Sequence, residues 1–283
     1  MFQPTHRAPE RILIYGGEKV GKSTCWADMI FAATKYGFEG TFHIIDTDHT
    51  WNKMGDLWFP EAEESGLVEV HQPFDMREAL DVSKKVSRKA KRGDVIIVDM
   101  LDWAWDEAQY LYINEVMGEE PEDYFLAMRA EVKKAEEDNR GHKAQFGGHE
   151  GMDWTFITKV YKRFELPLTM KTRAHTIGIT SERKLDVNRG ATPDQLKRYK
   201  ITNGMWPVGQ KGIGYRFDTI MHMKKRQDGS RQLVMVGDRA REAVWEERVG
   251  KSTINVGEMP RKAFVKAYLR DIGDWEIRQR KGE

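Results

Sequence analysis

Apolar positions in the first hundred residues come in short continuous runs separated by stretches with helical spacing. Arg11 to Tyr15 is one such run and ends at Gly16. Ser23 to Tyr36 follows, with Trp26, Met29, Ile30 and Ala33 at three- and four-residue intervals, which predicts strand, glycine loop, helix. Thr41 to Asp46 predicts a second strand and Leu67 to His71 a weaker third; Met76 to Lys91 reads as a helix with Ala79, Leu80, Val86 and Ala90 on one side. Asp94 to Asp99 then sets Val-Ile-Ile-Val between two aspartates. Continuous apolar strands alternating with helices indicate a parallel sheet buried on both faces.

After Asp99 the pattern changes. Between Asp102 and Asp138 twelve acidic residues face only Arg129, Lys133 and Lys134, and Pro121 interrupts an otherwise helical composition, so an inserted helical pair is expected. Asn139 to Gly151, with four glycines among Arg140, His142, Lys143 and Phe146, reads as a loop. Trp154, Ile157, Tyr161 and Phe164 define an amphipathic helix ending near Pro167, and Ala174 to Thr180 returns to the sheet. Arg183 to Gly214 shows no period and is expected to be a long loop. Phe217 to Met223 and Gln232 to Val236 predict strands of an antiparallel hairpin across Asp228-Gly229, and Met259 to Arg270 a final helix.

Composition narrows the function classes. The 46 basic and 45 acidic residues nearly cancel, so contact with nucleic acid would depend on local clustering. A lone cysteine, Cys25, excludes a disulfide framework and fits a reducing cytoplasm. The histidines are scattered without ligand-like spacing, and no apolar run is long enough to span a membrane. A cytoplasmic protein is expected, in the host cytoplasm if the chain is phage-encoded.

Gly16-Gly17-Glu18-Lys19-Val20-Gly21-Lys22-Ser23 matches the P-loop pattern in full, between a strand and a helix as the chemistry requires, and Thr24 continues it. Its backbone N–H groups and the helix N-terminus would cradle the phosphates of ATP, Lys22 would reach the β- and γ-phosphates, and Ser23 would ligate Mg²⁺. A near-copy, Val249 to Thr253, has Trp245 in place of the first glycine and a strand-like segment after it, so it is set aside. Asp99, closing its strand, is the candidate second carboxylate for Mg²⁺, with Asp102 read as a helix N-cap. Asp48 is the candidate group to orient the attacking water; Asp46 is its alternative, and a local turn through Asp46-Thr47-Asp48 is the bland reading.

In this order the elements resemble a RecA-like ATPase core, and within that family the core-only annealing or recombination ATPases of phages. The resemblance rests on the P-loop, Ile45-Asp46-Thr47-Asp48-His49, Asp94 to Asp99, and Thr176 to Arg183. It implies an α/β fold with a mostly parallel central sheet flanked by helices, a helical insertion at about 102–151 and a C-terminal hairpin. The ATPase domain would span 1–243, with an extension at 244–283. It further implies catalytic roles for Lys22, Asp48, Asp99 and Ser181, with Ser181 or Thr180 sensing the γ-phosphate. The loop after Ser181 would hold single-stranded DNA through Arg183, Lys184, Arg189, Lys197, Arg198, Lys200 and Lys211, with Tyr199 and Trp206 for stacking. Arg239 and Arg241 would reach a neighbouring subunit's ATP in a ring or filament. A nucleotide or small-molecule kinase, or a P-loop motor or assembly ATPase, are the rival classes.

Overall fold

The computed structural model describes residues 1–5, 8–118, 121–138, 152–185, 191–239, 241–249, 253–257 and 264–277. In chain order it contains β1 (Phe2–Pro4), β2 (Arg11–Gly16), α1 (Lys22–Tyr36), β3 (Phe42–Asp46), α2 (Trp51–Trp58), β4 (Val68–His71), α3 (Met76–Lys89) and β5 (Val95–Asp99). Next come α4 (Leu101–Tyr112), α5 (Pro121–Glu137), α6 (Met152–Thr169), β6 (His175–Thr180), β7 (Glu182–Lys184), α7 (Pro193–Arg198) and β8 (Met205–Pro207). The chain ends with β9 (Thr219–Lys225), β10 (Arg231–Asp238), α8 (Glu242–Val249), β11 (Thr253–Gly257) and β12 (Trp275–Ile277).

Eight strands form the central sheet in the order β11-β10-β9-β2-β6-β5-β3-β4. The pairs from β9 to β4 are all parallel, and β10 runs antiparallel to both β9 and β11. Burial follows the two-residue period on both faces at once. Ile12, Ile14, Val95 and Ile97 point into one core with α1, whereas Leu13, Tyr15, Ile96 and Val98 point into the other with α3, α4 and α6. Helices on both sides are what allow uninterrupted apolar strands.

Several expectations are corrected. The acidic stretch is not wholly an insertion, because α4 buries Leu101, Ala104, Ala108 and Tyr112 in the second core and packs against α3 and α6. Its charges occupy the opposite stripe, so composition hid an amphipathic core helix. Pro121 opens α5 instead of interrupting a helix, a position where its missing N–H costs nothing. Pro167 lies inside α6, which continues to Thr169. Carbonyls near it accept from side chains: Phe164 from Ser83 Oγ at 2.6 Å, Leu168 from Thr176 Oγ1 at 2.7 Å and Thr169 from Arg11 Nε at 2.7 Å. The loop expected at 139–151 lies outside the described residues, as does much of the final helix, of which Val265–Arg270 is seen.

The stretch read as one long loop is largely ordered. It forms β7, α7 and β8, with single helical turns at Tyr199–Thr202 and Ile213–Arg216. α7 starts with a capping box: Thr192 Oγ1 accepts from Gln195 N, Gln195 Oε1 accepts from Thr192 N, and Pro193 takes the first turn. The C-terminal extension closes the same fold. Trp245, Ile254, Val256, Phe264, Tyr268 and Trp275 join the α1-side core, β11 adds an edge strand, and β12 pairs with β1.

Candidate active site

The P-loop leaves the carboxyl end of β2 and enters α1 at Lys22. Gly21 has φ 102° and Lys19 φ 53°, so the loop alternates into left-handed backbone, the geometry that turns successive N–H groups toward one concave side. Gly16 is fixed by crowding, since a Cβ there would stand 2.5 Å from the Met223 carbonyl of β9. Lys22 is buried and its ammonium donates to the Gly16 and Gly17 carbonyls at 3.0 and 2.8 Å. Burial lowers its pKa, offset by Asp99, Asp102, Glu182 and Asp48, the four carboxylates within its electrostatic reach.

Asp99 ends β5 and is completely buried. Its Oδ2 accepts from Trp26 Nε1 at 2.8 Å, whereas Oδ1 has no hydrogen-bond partner of good geometry. Burial, with a further push from Asp48 and partly offset by Trp26 and the Ser23 hydroxyl, raises its pKa to about 7. A buried carboxylate oxygen without a partner beside Ser23 fits a hydrated Mg²⁺, so Ser23 and Asp99 are the residues that would hold it.

Asp46 and Asp48 divide as their exposure dictates. Asp46 is fully buried and structural: Oδ1 accepts from Thr50 N at 3.0 Å, and Oδ2 from Trp51 N at 2.9 Å and Gln72 Nε2 at 2.8 Å, fastening the entry to α2. Asp48 is exposed, and its Oδ1 accepts from Thr50 N at 3.2 Å and Thr50 Oγ1 at 2.7 Å. This is an Asx-type turn from Asp48 to Thr50, a different one from the turn through Asp46-Thr47-Asp48 expected from the sequence. Electrostatic reach to both Lys22 and Asp99 puts Asp48 at the phosphate loop.

Because β6 is inserted between β2 and β5, the residues that follow it come to the same end of the sheet. Ser181 donates through Oγ and, at 3.3 Å, through its backbone N–H to Asp102 Oδ2. This corrects the reading of Asp102 as an N-cap: it is the second residue of α4, where Met100 precedes the helix, and it anchors Ser181. Thr180, the alternative sensor, donates instead to the Val208 carbonyl at 2.8 Å.

Four residues at the site carried no sequence signal that singled them out. Glu182 Oε1 lies 3.2 Å from where a Cβ on Gly17 would be, and its Oε2 pairs with Nε2 of His222 from β9. The His222 ring stacks on Tyr15 with centroids 4.7 Å apart, and burial lowers its pKa against the opposing pull of Glu182. Arg231 of β10 donates from Nε to the Val20 carbonyl at 2.9 Å, and Trp26 supports Asp99. Strand order brings Glu182, His222 and Arg231 beside the P-loop, whereas Trp26 is on α1 itself.

The basic segment forms a cavity of about 880 Å³, lined in part by Lys162, Lys197, Arg198, Lys211, Arg216 and Trp206. Trp206 is covered by the Arg183 guanidinium, 4.8 Å from its ring. Tyr199, also in the lining, is mostly buried, its ring packed against Tyr15 and Trp206. Lys184 and Lys200 are exposed outside the lining, and Arg189 lies outside the described residues.

Arg239 and Arg241 do not share one side of a continuing strand, because β10 ends at Asp238. Arg239 meets Asp218 at 3.1 Å and is exposed. Arg241 is largely buried in a two-armed pair with Glu10, one arm at 3.1 Å, at the opposite end of β2 from the P-loop. Its guanidinium is thus committed within its own chain. Of the near-copy of the P-loop motif, Val249 closes α8, in which Trp245 is buried, and Thr253 opens β11; residues 250–252 lie outside the described residues.

A mostly parallel α/β sheet with a P-loop at its carboxyl end and a buried carboxylate two strands away defines a P-loop NTPase core. The chain belongs to the AAA domain family, which matches it over residues 8–226. Membership implies a nucleotide-binding P-loop ATPase. No curated protein matches the chain. Among the described residues no helix is long and apolar enough to cross a membrane.

Proposed function

We propose that this protein is a RecA-like, Mg-dependent ATPase that acts on single-stranded DNA, of the kind phages use in recombination, annealing or replication. The observation that supports the ATPase reading is the P-loop at the carboxyl end of β2 with buried Asp99 two strands away, and with Asp48 and Asp102, the anchor of Ser181, within electrostatic reach of Lys22. Residues Gly16 to Thr24 cradle the phosphates, and Lys22 exchanges its two carbonyl partners for phosphate oxygens. Ser23 and Asp99 would hold Mg²⁺, which when bound would supply neutralising charge to the phosphates. Asp48 accepts the proton of the attacking water at Oδ2 as the bond to the ADP oxygen breaks, with Oδ1 kept in place by Thr50. Ser181, held by Asp102 through its hydroxyl and backbone N–H, would turn its hydroxyl proton from that carboxylate to the γ-phosphate when nucleotide binds.

The DNA half is supported by the basic cavity. Lys197, Arg198 and Lys211 offer charge to a backbone, and the Arg183-capped Trp206 offers an aromatic surface for a base. β7 connects the two sites: it begins at Glu182, beside Gly17, and pairs with β8, where Arg183 faces Trp206. A homo-oligomeric ring or filament would carry the output, with Arg239 the member of the arginine pair that a neighbouring subunit could meet. The same cavity has the volume of a small-molecule site, which favours a kinase as the second reading.

ATP turnover measured with and without single-stranded DNA tests the proposal. Stimulation, with retention of DNA at low salt, is expected. Absence of both overturns the DNA half, and phosphate transfer from ATP to a nucleoside monophosphate would decide for the kinase.

A further inference from the structure

The β3–β4 edge of the sheet holds a cluster that the ATPase reading does not use. β3 and β4 pair in parallel with His43 opposite Glu69 and Ile45 opposite His71, so His43, Glu69 and His71 fall on one face. One ligating atom from each lies within 4.8 Å of the others. His43 Nδ1 is 3.2 Å from Glu69 Oε2, and His71 Nε2 is 3.3 Å from Glu69 Oε1. Neighbouring ligands about 2.0–2.2 Å from a tetrahedral Zn²⁺ stand roughly 3.3–3.5 Å apart, close to the two histidine–glutamate distances, which run to the two oxygens of Glu69. Both histidine nitrogens are buried and neither forms a hydrogen bond of good geometry.

We propose that His43, Glu69 and His71 form a binding site for a transition-metal cation, with Zn²⁺ the best fit, that clips edge strand β4 to β3. His43 Nε2 faces Asp94 Oδ2 at 3.5 Å, the carboxylate–histidine arrangement that orients a metal-bound imidazole. Asp94 is itself fixed by the backbone N–H groups of Thr41 and Lys91, at 2.9 and 2.7 Å. With Nε2–H directed at Asp94, the Nδ1 lone pair of His43 points at a carboxylate oxygen, a repulsive contact that a cation between them reverses. Glu69 also meets Lys89 at 2.6 Å and Lys85 at 3.9 Å. Lys85 and Lys89 are more than half exposed and reach in from α3, so they can swing to solvent when a metal binds. Two imidazoles and one carboxylate select Zn²⁺ over Mg²⁺ and leave a fourth position for water.

The test uses the full chain, stripped with chelator and free of nucleotide, titrated with Zn²⁺ alone and followed by calorimetry and elemental analysis after desalting. One Zn²⁺ per chain is expected, with affinity reduced at least about tenfold in His71→Gln or Glu69→Gln and about tenfold in Asp94→Asn. Asp99→Asn, at the phosphate loop, should leave zinc affinity unchanged. No zinc retained by the wild type, or equal affinity in the His71→Gln/Glu69→Gln double variant, overturns the site. Should these variants fail to fold, Co²⁺ added to the wild type decides: strong tetrahedral visible bands support the site, and a weak octahedral spectrum refutes it. All these readouts are independent of ATP turnover.

Discussion

Asp99→Asn should stabilise the nucleotide-free protein while removing its Mg-dependent turnover. Asp99 is completely buried and its pKa stands near 7, about three units above the ordinary aspartate value. At about 1.4 kcal/mol per unit, ionising it inside the fold costs on the order of 4 kcal/mol, an upper bound before relaxation. The sign follows from proton binding. Between about pH 4 and 7 the folded state keeps the proton that the unfolded state releases, so stability is full at low pH and falls as pH rises toward 7. Asparagine keeps an oxygen for Trp26 Nε1, and the Ser23 hydroxyl stands beside the new amide. The advantage of Asp99→Asn should therefore be small near pH 5 and reach roughly 2–4 kcal/mol by pH 8, or about 5–10 °C in Tm for a chain of this size. Thermal melts in EDTA at pH 5, 6, 7 and 8 measure this directly. Adding Mg-ATP should narrow the gap, because only the wild type gains a bound ligand. An advantage independent of pH, or a variant less stable at every pH, would refute the buried-charge reasoning.

Lys22→Ala should abolish detectable ATP binding in a fluorescent-nucleotide titration, whereas Asp48→Ala should leave binding within a few-fold and slow turnover about a hundredfold. Intact turnover in Asp48→Ala would pass the water-orienting role to Glu182, the other carboxylate at the loop. Arg241→Met should destabilise the fold by about 3–5 kcal/mol, because it strands the buried Glu10, without altering turnover per folded molecule; specific loss of turnover would restore a role in trans. Lys197→Glu and Lys211→Glu should each reduce the salt dependence of single-stranded DNA binding by about 0.7 in log–log slope, read by fluorescence anisotropy, and an unchanged slope would remove the cavity from the DNA path.

The readable parts of the site are those whose chemistry is contiguous in sequence. A phosphate cradle needs successive backbone N–H groups, so Gly16 to Ser23 is visible as a string of letters, and Asp99 is visible because it closes an apolar strand. The segment after Ser181 was harder, since its helices are too short to develop a period. The start of α7 rests on the Thr192–Gln195 capping box, not on hydrophobicity, so a reading by period passed over it. Likewise α4 was masked by its charges, because a helix with one buried stripe can carry acidic residues on the remainder.

What the sequence by itself determined is the parallel α/β architecture, both faces of its sheet and the phosphate loop, all encoded in local periodicity and local backbone demand. Only the tertiary structure decided which distant side chains meet there. Inserting β6 between β2 and β5 carries Ser181 and Glu182 to the P-loop, β9 beside β2 brings His222, and β10 brings Arg231. The parallel register of β3 and β4 likewise assembles His43, Glu69 and His71 from positions that share no spacing in the chain. Strand order and register are set by how whole layers bury their apolar faces, so no local window of sequence contains them.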